Sequence, residues 1–574
     1  MKDAERRALG AVLALTLAAG LCGIRWGLPG VARLAAFPDR LKPSPAVAER
    51  MAAEWAKLYA GIKAAHETPG AEEPVAYAVG LERVPAGWDF PPAKLLNSYR
   101  SMLLQTGHPD EKKSFIILSQ MRPWRLEFKP LYVQYGGAFI YPLGAFLGIS
   151  HLFGLIHLSS GMTYYLQDPA AMGDLFLAGR AFMLVFQLGT VALLFLMTLR
   201  LSKSLGAACG ASLLVALTPF ALFNSHMVKP HPYSAFWAIA ACWFLMRSVA
   251  DTKRRDYLLC GACAGVAAGS LFTLLPILFL PLAGVLVGKK PARDAWFGVG
   301  LAVLVLVSLN PFVLFAFKDF RWDFAYASTR PVALSVSQLL SGIQSTTASL
   351  GVVATLIAVL GTVSLSFSRA KEQSVLARGT LLLFAVLYVK FAVFFTEDPA
   401  ALRLFYVPVL LSFVTGAVAA ASVKTPKLVK ASILAVVLLE TTLRGSVALA
   451  NLHLDSTPSS TFARAAAFVD KTVPSGAAVG LSRYPEPSHT PSFRWDLHPL
   501  VVFQHPSDLD GKPMPDWVVV DAMDAPAFDA WNAGRYRVAA DFSPYTLGPV
   551  TPAAYSPFVN QLIRVYEKSA KILP

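Results

Sequence analysis

Long apolar runs separated by short polar breaks fill the first 450 residues, and the pattern changes after that. Apolar runs of about 17–25 residues suit helices that cross a lipid bilayer. They fall near 8–28, 173–200, 206–223, 233–249, 257–272, 273–288, 295–317, 347–367, 378–396, 403–421 and 428–449. This predicts an all-α polytopic membrane region, 1–450, of about eleven transmembrane helices. The first run follows Lys2, Arg6 and Arg7 and continues past Ala18-Ala19-Gly20 to Trp26 and Leu28, so it reads as an uncleaved anchor rather than a signal peptide. Residues 451–574 are polar and carry turn signals at Pro474-Ser475-Gly476 and Asp510-Gly511. A helix over 461–471 and a buried strand at Trp517–Val520 make this a small α/β domain.

Composition supports the membrane reading. The 574 residues are 55% hydrophobic and only 15% charged, against roughly 25% charged in soluble domains. A soluble enzyme, a disordered chain and a disulfide scaffold are excluded. The net charge of +15 would suggest nucleic acid in a soluble protein; here it fits loops that face anionic lipid, and no nucleic-acid partner is expected. All five cysteines lie in apolar segments. Cys260 and Cys263 sit among small residues, which points to helix packing rather than metal or redox chemistry.

Charge also sets orientation. Cations cluster at Lys2/Arg6/Arg7, Arg200/Lys203, Arg247/Lys253/Arg254/Arg255, Lys289/Lys290/Arg293, Arg369/Lys371/Arg378 and Lys424/Lys427/Lys430, whereas the short loops opposite hold only Lys229, Lys318, Arg321 and Arg330. The positive-inside rule makes the crowded side cytoplasmic. The amino terminus is then inside, 29–172 forms one large external loop, and 451–574 lies outside. By the same parity, the apolar stretch 131–157 cannot be a single crossing. Its Gly, Pro and Tyr content suits juxtamembrane helices.

Candidate chemistry is sparse. His108-Pro109-Asp110-Glu111-Lys112-Lys113 places two carboxylates before an apolar run, where a helix amino terminus stabilises them. Phe37-Pro38-Asp39-Arg40 is a lesser candidate. Lys129 is the last charge before 131–157, placed to hold a lipid phosphate or to snorkel. Arg180 lies well inside its apolar run and calls for a carboxylate or phosphate partner. Arg403 stands at the external start of its helix. The loop Asn224–Pro232 contains His226, Lys229 and His231. Its histidines lack the i,i+4 spacing of a zinc pair, so a structural metal is not expected, although His231 with Asp110 or Glu111 leaves a divalent ion open. There is no Walker sequence, GxGxxG or HExxH.

These motifs, in this order, resemble the GT-C membrane glycosyltransferases that use polyprenyl-phosphate sugars. Protein O-mannosyltransferases, the lipid A aminoarabinose transferase and the galacturonosyltransferases of lipopolysaccharide core belong to that class. The match runs over roughly 1–450, through Asp110-Glu111, Met121, Pro123, Lys129-Pro130, Tyr135-Gly136, Tyr141-Pro142, Gly179-Arg180, Ser225–His231, Asn310-Pro311-Phe312 and Arg403–Pro408. His231 departs from the pattern, where family members often carry Asp. The resemblance implies an inverting transfer to an acceptor hydroxyl (on lipid, glycan or protein), at the periplasmic face of a bacterial inner membrane. Asp110 would be the general base, with Glu111 orienting it or the acceptor. Lys129, Arg180 and Arg403 would hold the donor phosphate. No cofactor is certain. A lipid-linked sugar transporter would instead show internal repeats, and a glycan-binding scaffold would bind through 451–574 alone with Asp110 dispensable.

Overall fold

The computed structural model describes residues 1–67, 80–88, 91–125, 127–130, 132, 135–251, 253–288, 292–315, 317, 336–391, 403–548, 550 and 558–569. Lys289, Lys290, Lys318, Arg321 and Arg330, with parts of the runs 131–157, 295–317 and 378–396, lie outside them. The chain forms an integral membrane helical region joined to a six-stranded sheet.

Five helices among the described residues are long and apolar enough to cross a membrane: Pro169–Ser202, Pro230–Asp251, Ala292–Leu309, Arg403–Ser422 and Lys427–Asp455. A sixth candidate, Leu205–Leu217 with Pro219–Ser225, bends by 59°. Three of the other expected crossings meet local breaks. Phe272–Phe279 is a 3-10 segment containing Pro276. The run 347–367 is split at Gly351, whose φ of 94° ends one helix and starts Val352–Ser366. The first helix stops at Leu21, and Gly23 and Gly27 adopt positive φ so that Trp26 can turn inward and bury completely.

Helices approach closely where side chains are smallest. A Cβ on Gly261 would lie 1.9 Å from the carbonyl oxygen of Gly298, so only glycine permits this contact between Arg254–Ser270 and Ala292–Leu309. Cys260 and Cys263 are free and buried on the same helix, as packing residues. Gly137–Leu152 has 16 residues, about 24 Å of helix, too short for a bilayer core of about 30 Å. Its first N–H, at Gly137, donates to the Asn310 side chain at 2.6 Å. That amide caps a helix end whose N–H groups have no partner within the helix. At the other end Leu152, Phe153 and Leu155 are exposed.

The sheet has the order β1-β3-β2-β4-β6-β5, where β1 is Glu82–Val84, β2 Val479–Leu481, β3 Leu500–Val502, β4 Trp517–Asp521, β5 Tyr536–Phe542 and β6 Ile563–Lys568. Strands β3, β2 and β4 run parallel, and the others are antiparallel to their neighbours. The helix expected over 461–471 is Thr461–Thr472, with Ser460 capping it. The expected strand is β4, buried at every position, as suits a central strand covered on both faces. Strand β1 comes from the segment after the first helix, so the sheet crosses the boundary expected at residue 451. The Tyr99 ring lies 4.7 Å from Phe37 and Trp88 and 4.9 Å from Trp495, centroid to centroid, which ties the same two segments into one core.

Candidate active site

Residues 105–111 link helices Ala93–Leu104 and Lys112–Gln120. The loop is held by its own polar groups. Gly107 N–H donates to the Gly27 carbonyl at 2.8 Å. Thr106 Oγ1 donates to Glu111 Oε2 at 2.7 Å, and Asp110 N–H donates to His108 Nδ1 at 3.1 Å. Accepting at Nδ1 leaves the proton of a neutral His108 on Nε2. Burial, then Lys229, keeps His108 well below its usual range, hence neutral.

The two carboxylates have opposite fates. Glu111 is fully buried and makes a bidentate pair with Arg180, 2.9 Å to Nε and 2.8 Å to Nη2. Its Oε1 also accepts from Val228 N–H at 2.9 Å. Arg180 Nη1 donates to the carbonyls of Ile24 and Trp26 at 2.8 and 2.7 Å, and the Trp26 ring lies 5.0 Å away. This pair therefore locks the first helix, the loop and the Pro169–Ser202 helix together. Neither side chain has exposed surface. Of the two partners expected for Arg180, a carboxylate or a phosphate, the described residues supply the carboxylate.

Asp110 is 28% exposed and faces cations from three segments. Lys229 Nζ is 2.8 Å from Oδ2, Lys113 Nζ is 3.1 Å from Oδ1, and Arg403 Nη2 is 3.5 Å from Oδ2. Burial works against the Asp110 charge, but Lys229, Lys113 and Arg403 outweigh it and hold the carboxyl well below the usual range. For Lys229, burial and Arg403 outweigh the help from Asp110, and its ammonium is pushed down to about 8. The causes differ: cations lower Asp110 against its burial, whereas burial itself, with Arg403, lowers Lys229. Among the described residues, three cations face this one carboxylate.

Two histidines complete the surroundings. His231 is buried, yet neither ring nitrogen has a hydrogen-bond partner among the described residues, and His108 Nε2 has none either. His231 belongs to the first turn of Pro230–Asp251, whose amino-terminal N–H groups favour an anion. His226, by contrast, is spent on structure. Its nitrogens face the carbonyls of Leu222 and Cys22 at 2.6 and 2.9 Å, and its own carbonyl accepts from Trp26 Nε1 at 3.1 Å. Lys129 is exposed on the stretch 127–130 beside exposed Phe128. Asp39 is 82% exposed and 3.8 Å from Arg494, with φ of 51°. Among the described residues no group of three His, Cys, Asp or Glu could hold a metal ion. A divalent ion at Asp110 would also have to displace its cations, and Glu111 is committed to Arg180. Among the described residues the donor set suits an anion rather than a metal.

Sequence reasoning missed Lys113, Thr106 and His108. Lys113 was legible, three residues after Asp110 and so on the same helical face. The roles of Thr106 and His108 depend on a loop path that no spacing reveals.

No family model matches the chain, and no curated protein matches its sequence. Solved structures give a distant likeness. ArnT from Cupriavidus metallidurans bound to undecaprenyl phosphate aligns at a TM-score of 0.44 and 14% identity, over 84% of this chain and 98% of that one. The Archaeoglobus fulgidus oligosaccharyltransferase tethered with an acceptor peptide aligns at 0.39 and 13%, over 74% and 57%. The archaeal oligosaccharyltransferase AglB from the same organism, in complex with an inhibitory peptide and a dolichol-phosphate, aligns at 0.38 and 13%, over 92% and 74%. These neighbours are GT-C glycosyltransferases; at such TM-scores the likeness gives this chain no activity and no residue a role.

Proposed function

We propose that the protein transfers a sugar from a polyprenyl-phosphate donor to an acceptor hydroxyl, with inversion, at the outer face of the cytoplasmic membrane. The observation that carries this reading is Asp110, a partly exposed carboxylate on Lys229, Lys113 and Arg403, with the unpartnered His231 ring nearby. The acceptor oxygen attacks the anomeric carbon as the bond from that carbon to the phosphate oxygen breaks. The acceptor proton passes to Asp110, and the electron pair leaves with the lipid phosphate. Lys229 and Arg403, with a His231 N–H, stabilise the negative charge that develops on the leaving oxygen. Glu111 positions Asp110 through the loop. Lys129 is a surface contact for headgroups rather than part of this group. No ATP is needed, because the phosphosugar bond is already activated.

A transporter of lipid-linked sugars needs no external carboxylate base. General-base assistance contributes typically 10²–10⁴-fold. Asp110→Asn protein should therefore bind donor lipid and lose transfer by about that factor, while Asp39→Asn stays active. Full activity in Asp110→Asn would remove the assignment. Lys129→Ala, assayed for donor binding, should weaken it far less than Lys229→Ala.

A further inference from the structure

We infer that in the free protein Asp110 occupies part of the anion site that the donor phosphate takes, so that donor binding is what frees Asp110 to act as a base. The inference rests on the donor reading above and concerns the order of events at that site. Asp110 Oδ2 is shared by Lys229 at 2.8 Å and Arg403 at 3.5 Å, the two cations that would meet a phosphate. The Lys229 side chain is 2% exposed, whereas Asp110 lying against it is 28% exposed. An anion that binds the Lys229 ammonium lies beside Oδ2, which that ammonium already contacts.

A phosphate that binds here shares Lys229 and Arg403 with Asp110. Each of those cations then gives part of its field and hydrogen bonding to the phosphate. Asp110 keeps Lys113 at 3.1 Å as its undivided partner and gains a neighbouring negative charge. Both changes raise its affinity for a proton. Before the donor arrives, Asp110 is too strongly paired to deprotonate a hydroxyl. After it arrives, the acceptor proton has somewhere to go, so the donor binds productively before the acceptor.

Linkage makes the coupling reciprocal: whatever phosphate does to the proton affinity of Asp110, a neutral Asp110 does to phosphate affinity. Removing the carboxylate charge should therefore tighten phosphate binding, although it abolishes transfer. The experiment is calorimetric titration of the full-length protein in detergent with farnesyl phosphate as a short polyprenyl monophosphate. Wild type, Asp110→Asn, Asp110→Ser and Lys229→Ala are compared. The expected result is affinity about tenfold higher in both Asp110 variants, within the usual 5–150-fold range of coupling, and lower in Lys229→Ala. The second Asp110 variant keeps the test decisive if one fails to fold. Unchanged or weaker binding in a folded Asp110 variant overturns the inference; if Lys229→Ala still weakens binding, the donor reading survives. Wild-type protein that does not bind the phosphate removes both.

Discussion

Adjacent acids at 110 and 111 do different work because they meet different partners. Glu111 is satisfied by Arg180, Thr106 and Val228 with no solvent contact. Breaking a buried ion pair by deleting one partner costs about 3–5 kcal/mol, since the remaining charge stays buried alone. Glu111→Gln should therefore lower the unfolding midpoint sharply in a thermal melt. A variant that melts like wild type but lacks activity would instead put Glu111 at the substrate. Lys229 gives a pH signature. Its ammonium is charged below about 8 and neutral above, so phosphate affinity should hold at neutral pH and fall as pH rises through 8. A titration that stays flat up to pH 9 would place the phosphate elsewhere. The pairing of Asp110 with Lys113 could be read from the sequence, three residues apart. Its contacts to Lys229 and Arg403 bridge 119 and 293 residues, and no local pattern carries that.

Among the elements, small residues set the distances that bring these side chains together. The Gly136 Cα sits where a Cβ would meet the Gly269 carbonyl at 1.8 Å, so the Gly137–Leu152 helix lies tightly on the end of Arg254–Ser270. The contact of Gly261 with Gly298 does the same for the next pair of helices. Gly261→Ala should cost about 1–3 kcal/mol through overpacking, measured as a lower melting temperature in detergent; an unchanged melt would mean that the two helices separate freely. The sequence marked Arg254–Ser270 as a small-residue packing helix, and that is how its glycines and cysteines are used. It overestimated uninterrupted crossings, because hydropathy averages over the Pro276 segment and the Gly351 break, where backbone geometry ends the helix while the apolar run continues.

In the whole molecule, the sheet and the loop that carries Asp110 are one construction. Strand β1 pairs with β3 in antiparallel register, Val84 opposite Leu500, and Tyr99 on the helix before Asp110 packs on Trp495. A chain ending after Asp455 should leave the helix Ala93–Leu104 uncovered. Limited proteolysis should then cut within 91–110, where the full chain is expected to resist; equal resistance would show that the loop folds without the sheet. The sequence by itself determined that the chain lives in a membrane, where five of its long helices fall, and that 461–471 and Trp517–Val520 are regular structure. Those are consequences of local periodicity, hydropathy and a low count of charges, all carried by neighbours along the chain. Only the tertiary structure decided that Arg180 answers Glu111 rather than a phosphate, that residues 82–84 complete the sheet, and that Lys229 and Arg403 meet on one carboxylate. Each of those depends on charges or strands from distant segments finding one another, where burial makes a correct pairing strongly favourable and a missing one costly.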